Sequence, residues 1–91
     1  MLITELVVRQ IFEDLIVGKI ERETADRWAY EAMQALDRGD LDFESRDLEE
    51  QLWSSVLYLY GVDMQTSPGG YLNSAADIEK KFRSLWPMQP C

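Results

Sequence analysis

The chain has 91 residues, of which 46% are hydrophobic, so it is long enough for one globular domain and too apolar for a disordered chain. It carries 17 acidic and 9 basic residues, which give a formal net charge of −8. Nucleic acids and anionic membranes are themselves negative, so this charge disfavours both as direct partners and favours a basic partner.

Helix start and stop signals divide the chain into four segments. The first helix is predicted over residues 4–17, with Thr4 as N-cap and Gly18 as its end, and the second over residues 22–38, ending at Gly39. The third is predicted over residues 46–60 and the fourth over residues 75–86, with Ser74 as its start signal. We therefore expect an all-α fold, a compact four-helix bundle-like single domain over residues 1–91. Its core should cover about residues 4–86, and residues 87–91 should form a short C-terminal tail.

Apolar residues recur three or four positions apart in each segment, which is typical of helices with one buried face. The third segment has two such stripes, one through Leu52 and Val56 and another of Trp53, Leu57 and Tyr60, so it should lie at the centre of the core. Either Ser45 or Asp47 is expected to cap it. The predicted core residues are Val7, Ile11, Leu15, Trp28, Ala32, Leu36, Leu48, Leu52, Val56, Leu59, Ile78, Phe82 and Leu85.

The longest predicted connection follows Gly61 and contains the turn residues Pro68, Gly69 and Gly70. The apolar pair Tyr71 and Leu72 is expected to hold this loop against the core.

The residue types argue against an enzyme. The chain has no histidine, so it has no imidazole base or metal ligand and no Ser-His or Cys-His pair. Its one cysteine, Cys91, allows no internal disulfide, which favours a cytoplasmic location. The segment from Asp40 resembles the start of a calcium loop, but Ser45 and Gln51 stand where that loop needs glycine and a bidentate glutamate. We expect no catalytic activity, no cofactor and no metal.

Acidic residues are concentrated just before and within the start of the third helix. Residues 37–50, which we call the acidic segment, contain seven acids and two arginines. The helix dipole stabilises acidic side chains in the first turn of a helix, and this explains part of the cluster. It does not explain Asp40, Asp42 and Glu44, which precede the helix. Because an apolar ring among carboxylates is a common interface anchor, the predicted partner-binding residues are Asp40, Asp42, Phe43, Glu44, Asp47 and Glu50.

Several stretches resemble the small helical immunity proteins of bacterial toxins, those that protect against colicin-type nucleases and contact-dependent growth-inhibition toxins. They are LIVGKI at 15–20, ERETADRW at 21–28, LW at 52–53, LYGVD at 59–63 and PGGYL at 68–72. The resemblance spans about residues 5–86. It implies a four-helix fold and the tight binding of one cognate toxin domain, often a nuclease.

The acidic composition is consistent with that function, because an acidic protein can cover the basic cleft in which a nuclease holds phosphates. Two other classes stay open: an acidic nucleic-acid mimic that inhibits a DNA- or RNA-binding protein, and a small structural or adaptor subunit. A gene immediately downstream of a large secreted toxin would favour the immunity function.

Overall fold

A computed structural model describes the backbone of residues 1–67, 70–71 and 74–87 and the side chains of residues 1–64 and 74–87. Within these residues the chain forms four helices: α1 (Glu5–Val17), α2 (Arg22–Arg38), α3 (Glu49–Leu59) and α4 (Ala75–Leu85). Two short strand pairs accompany them. Strand β1 (Leu2–Ile3) pairs parallel with β2 (Asp42–Phe43), and β3 (Gln65–Ser67) pairs antiparallel with β4 (Gly70–Tyr71). The all-α prediction is confirmed.

Capping chemistry sets the ends of α1, α2 and α4 close to the predicted positions. The Thr4 hydroxyl accepts a hydrogen bond from the Val7 amide at 3.1 Å, and Ser74 forms a reciprocal capping box with Asp77. Gly18 and Gly39 end α1 and α2 with φ values of 82° and 77°, a left-handed conformation that glycine adopts without steric strain.

The predicted start of α3 was wrong. The helix begins at Glu49 rather than residue 46, and Leu48 occupies the N-cap position without a side-chain capping bond. The Ser45 hydroxyl instead accepts a hydrogen bond from the Asp47 amide at 3.1 Å. This local bond closes a turn that competes with helix formation, which is a general property of serine side chains.

Helices α1 and α3 each contact the other three helices, so α3 shares the central position with α1. Six predicted core residues are fully or almost fully buried: Leu15, Ala32, Leu52, Val56, Leu59 and Ile78. Five more are half-buried and pack against this cluster: Ile11, Trp28, Leu48, Phe82 and Leu85.

Two predicted core residues are exposed, Val7 by 39% and Leu36 by 48%. Helix α1 buries the stripe of Val8, Phe12 and Leu15, and Val7 lies about 100° around the helix from Val8. Ile3, four residues before Val7 in the sequence, lies in a strand and so does not extend a helical stripe through Val7. Leu36 does lie on the buried stripe of α2, but it forms one wall of an open surface groove.

The β1–β2 pair joins the start of the chain to the acidic segment. The Asp42 amide donates to the Met1 carbonyl at 2.8 Å, and the Glu44 amide donates to the Ile3 carbonyl at 3.1 Å. Ile3 is completely buried, so this pairing is part of the core. It fixes the backbone around Phe43.

No helix among the described residues has both the length and the apolar character needed to cross a bilayer. The predicted contact of Tyr71 and Leu72 with the core lies outside the described side chains, as does Cys91.

Candidate protein-interaction surface

Strand β2 orients the middle of the acidic segment. Successive side chains of a strand point to opposite sides, so Asp42 and Glu44 are exposed while Phe43 between them turns inward and is half-buried. The ring of Phe43 contacts the ring of Trp53 edge-on, with centroids 6.4 Å apart and an interplanar angle of 89°. Phe43 therefore lines the surface rather than projecting from it as the predicted anchor.

An open groove of about 370 Å³ lies beside these two rings. We call it the Phe43 groove, and its lining residues are Leu36, Phe43, Glu49, Glu50 and Trp53. A second depression of about 400 Å³ also adjoins Phe43, and it is lined by Leu41, Asp42, Phe43, Ser45, Arg46 and Glu49. Phe43 and Glu49 belong to both, so the two depressions form one continuous surface.

Two of the predicted partner-binding acids already have partners within the chain. The Glu44 carboxylate accepts a hydrogen bond from the Glu5 amide at 2.6 Å, which places an anion at the start of α1. The Asp40 carboxylate lies 3.3 Å from the guanidinium of Arg38, and the Asp40 carbonyl accepts a bond from the Met1 ammonium at 2.6 Å. Helix capping thus does account for Glu44, through a helix other than the one that follows it.

Four further acids are exposed: Asp42, Asp47, Glu49 and Glu50. Asp42, Glu49 and Glu50 line the two depressions, and Asp47 follows Arg46, which lines the second. In the part of the chain with described side chains, no lysine or arginine lies within ion-pair distance of these four carboxylates. We call these four residues the free acids. Their charge is available to a partner, and a partner's cations would not have to displace an existing ion pair.

Sequence reasoning missed three residues of the Phe43 groove, Leu36, Glu49 and Trp53. The signal for Trp53 was the second apolar stripe of α3, which it shares with Leu57 and Tyr60. In the structure Leu57 is 46% exposed and Tyr60 is 47% exposed, so the other helices do not cover this stripe. Its apolar face continues along α3 from the Phe43 groove.

This surface has the chemistry of a binding site: exposed carboxylates around an apolar groove. Among the described side chains, no group of three acids, histidines or cysteines is placed to hold a metal ion. Comparisons of the chain with protein families, curated proteins and solved structures find no match.

Proposed function

We propose that the protein is an immunity protein that binds one basic toxin domain, a nuclease, and silences it stoichiometrically. The observation that carries this proposal is that three of the free acids, Asp42, Glu49 and Glu50, line the Phe43 groove and the depression that adjoins it. A binding surface of this kind has an apolar centre for affinity and a charged rim for steering and register.

A nuclease is a suitable partner because its cleft must hold phosphates and is therefore basic. An acidic protein is attracted to such a cleft over a long range, which accelerates association at low salt. Occupying or covering the cleft would then exclude the nucleic-acid substrate.

The Phe43 groove favours this function over a pure mimic of nucleic acid. A mimic needs only a row of negative charges, whereas Leu36, Phe43 and Trp53 present apolar surface to the same partner. Such surface contributes affinity when a protein side chain covers it.

Under this proposal the protein acts in the cytoplasm of the cell that makes the toxin. A chain whose one cysteine is Cys91 does not depend on an internal disulfide, which suits a reducing compartment.

The test is an inhibition titration against a toxin nuclease domain encoded immediately upstream of the gene. With the nuclease well above the dissociation constant, activity should fall linearly and reach its minimum at a fixed molar ratio. A basic ribonuclease from an unrelated source serves as the control and should stay active, because charge attraction alone does not give a tight complex. Inhibition that grows with time at trace protein would indicate turnover and contradict the proposal.

A further inference from the structure

We propose that the Phe43 groove receives one apolar side chain of the partner, and that cationic residues beside that side chain pair with Glu49 and Glu50. This inference rests on the proposed function, since it specifies how the basic partner is recognised. It also reverses the expected roles: Phe43 belongs to the receiving groove, and the partner supplies the inserted side chain.

The groove is built from three separate elements, which favours a preformed shape. Leu36 lies in the last turn of α2, Trp53 lies in α3, and Phe43 lies in β2. The backbone of Phe43 is held by the parallel pairing with Ile3, and its ring is held by the edge-on contact with Trp53. A volume of about 370 Å³ is within the range of about 300–1,000 Å³ that is typical of ligand pockets.

The exposure of Leu36 indicates that the groove is uncovered in the free protein. Three alanines of its stripe on α2, Ala25, Ala29 and Ala32, are almost completely buried, whereas Leu36 is 48% exposed. Covering this leucine and the neighbouring ring edges would remove apolar surface from water, which stabilises a complex.

The charge at the rim selects the occupant. Glu49 and Glu50 line the groove, Asp42 lines the adjoining depression, and these carboxylates repel an acidic partner. A symmetric dimer would bring the same patch of two copies together and would set these acids against each other. The occupant that fits is therefore a basic protein segment with an apolar side chain between lysines or arginines.

Two short peptides of equal charge distinguish the contribution of the apolar contact to binding from the contribution of charge. One has blocked ends and a central phenylalanine between paired lysines, and the other has alanine at the centre. Each is titrated into ¹⁵N-labelled protein while the backbone amide and indole N–H signals of Trp53 are followed. The phenylalanine peptide should shift these signals saturably, and the alanine peptide should bind about tenfold more weakly.

Two variants with the same change in charge test the location. Leu36→Lys places a cation in the groove wall and should lower the affinity for the phenylalanine peptide about tenfold. Val17→Lys is the matched control, because Val17 is 68% exposed and, like Leu36, lies in the last turn of a helix that ends at glycine. Val17 ends α1, close in sequence to Arg22 at the start of α2. Leu36 lies at the other end of α2, about 21 Å from Arg22 at about 1.5 Å per residue, so the control position is remote from the groove. The control should bind both peptides like the unmodified protein. Leu36→Ala replaces Leu36→Lys if circular dichroism shows that the lysine variant is unfolded.

Equal binding of the two peptides would overturn the groove inference and leave the acidic surface as the site. Equal weakening by the two lysine variants would also overturn it, since net charge would then explain the effect. If neither peptide shifts the Trp53 signals at millimolar concentration and low salt, the groove is not a receptor for such a segment. The nuclease titration stays an independent readout, so the proposed function stands or fails separately.

Discussion

The Glu44 carboxylate accepts a hydrogen bond from the Glu5 backbone amide at 2.6 Å, between residues 39 positions apart in the chain. The first amides of a helix have no partner within the helix, and an anion beside them is favoured by the helix dipole. Glu44 therefore acts together with Thr4 at the start of α1. It also ties the acidic segment to the body of the fold.

Replacing Glu44 by alanine should lower the free energy of unfolding by about 1 kcal/mol, as for the loss of other helix caps. Urea denaturation gives this value. Asp42→Ala is the matched control, because Asp42 is an exposed acid two residues earlier, and its change should stay within about 0.5 kcal/mol. Equal losses in the two variants would show that Glu44 does not cap α1.

Removing a large buried side chain from α3 should be strongly destabilising. Leu52 is completely buried at the centre of the core, so Leu52→Ala should lower the free energy of unfolding by about 2–5 kcal/mol. Leu57→Ala, at an exposed position of the same helix, should change it by less than about 0.5 kcal/mol. A loss below about 1 kcal/mol for Leu52→Ala in chemical denaturation would contradict a central position for α3.

A buried polar chain joins the end of α4 to α3. The Trp86 indole N–H donates to the Ser55 hydroxyl at 3.0 Å, and that hydroxyl donates to the Gln51 carbonyl at 2.8 Å. Ser55→Ala would leave the indole N–H buried without its acceptor and should cost about 1–3 kcal/mol. Ser54→Ala, at the adjacent half-buried position, is the control and should cost less.

A double-mutant cycle isolates the Ser55–Trp86 bond from the packing of the indole. Once Trp86→Phe has removed the donor, Ser55→Ala should be less destabilising than it is alone. Strict additivity of the two changes in urea denaturation would show that the bond contributes nothing measurable.

Stability at alkaline pH should depend on Tyr58. Burial raises the pKa of the Tyr58 phenol above its ordinary value of 10.0, the Asp77 carboxylate raises that pKa further, and the Arg22 guanidinium partly offsets both. The folded state thus holds the phenolic proton more tightly than the unfolded state does. This contribution to stability is fully present below the unfolded pKa and is lost as pH rises through the folded pKa.

Tyr58→Phe should remove that contribution, so the unfolding free energy of the variant should fall less steeply above about pH 10 than that of the unmodified protein. Urea midpoints measured for both proteins from about pH 8 to 11 provide the comparison. Parallel profiles would show that Tyr58 titrates alike in the folded and unfolded states.

Local signals in the sequence predict most of the fold. Thr4, Ser74, Gly18 and Gly39 mark helix ends through bonds within a few residues, and the structure uses all four. The start of α3 was harder to predict, because Ser45 offers both a cap and a turn. In the structure Ser45 forms the turn, through its hydrogen bond from the Asp47 amide.

The sequence predicts the negative charge of the candidate site but not the shape of its groove. The composition of residues 37–50 identifies the acids, whereas the pairing of Ile3 with Phe43 joins residues 40 positions apart and leaves no periodic signal. That pairing turns Phe43 inward and makes Glu44 a cap for α1. The same long-range contacts bring Leu36 and Trp53 beside Phe43. Apolar periodicity alone would place Leu36 and Trp53 in the core.

The most direct test of the central claim is the salt dependence of binding to the toxin nuclease domain for two charge-reversal variants of equal net charge. Asp42→Lys with Asp47→Lys changes two of the free acids, while Glu13→Lys with Glu31→Lys changes exposed acids on the outer faces of α1 and α2. Circular dichroism confirms folding before dissociation constants are measured over a range of salt concentrations.

The first variant should bind more weakly, associate more slowly and show a flatter dependence of affinity on salt, because rim charges act mainly on the association rate. The second should keep the affinity and the salt slope of the unmodified protein, apart from a small uniform effect of net charge. If the two variants bind the nuclease domain alike, the acidic surface around Phe43 is not the binding site, and the proposed mode of toxin recognition is contradicted.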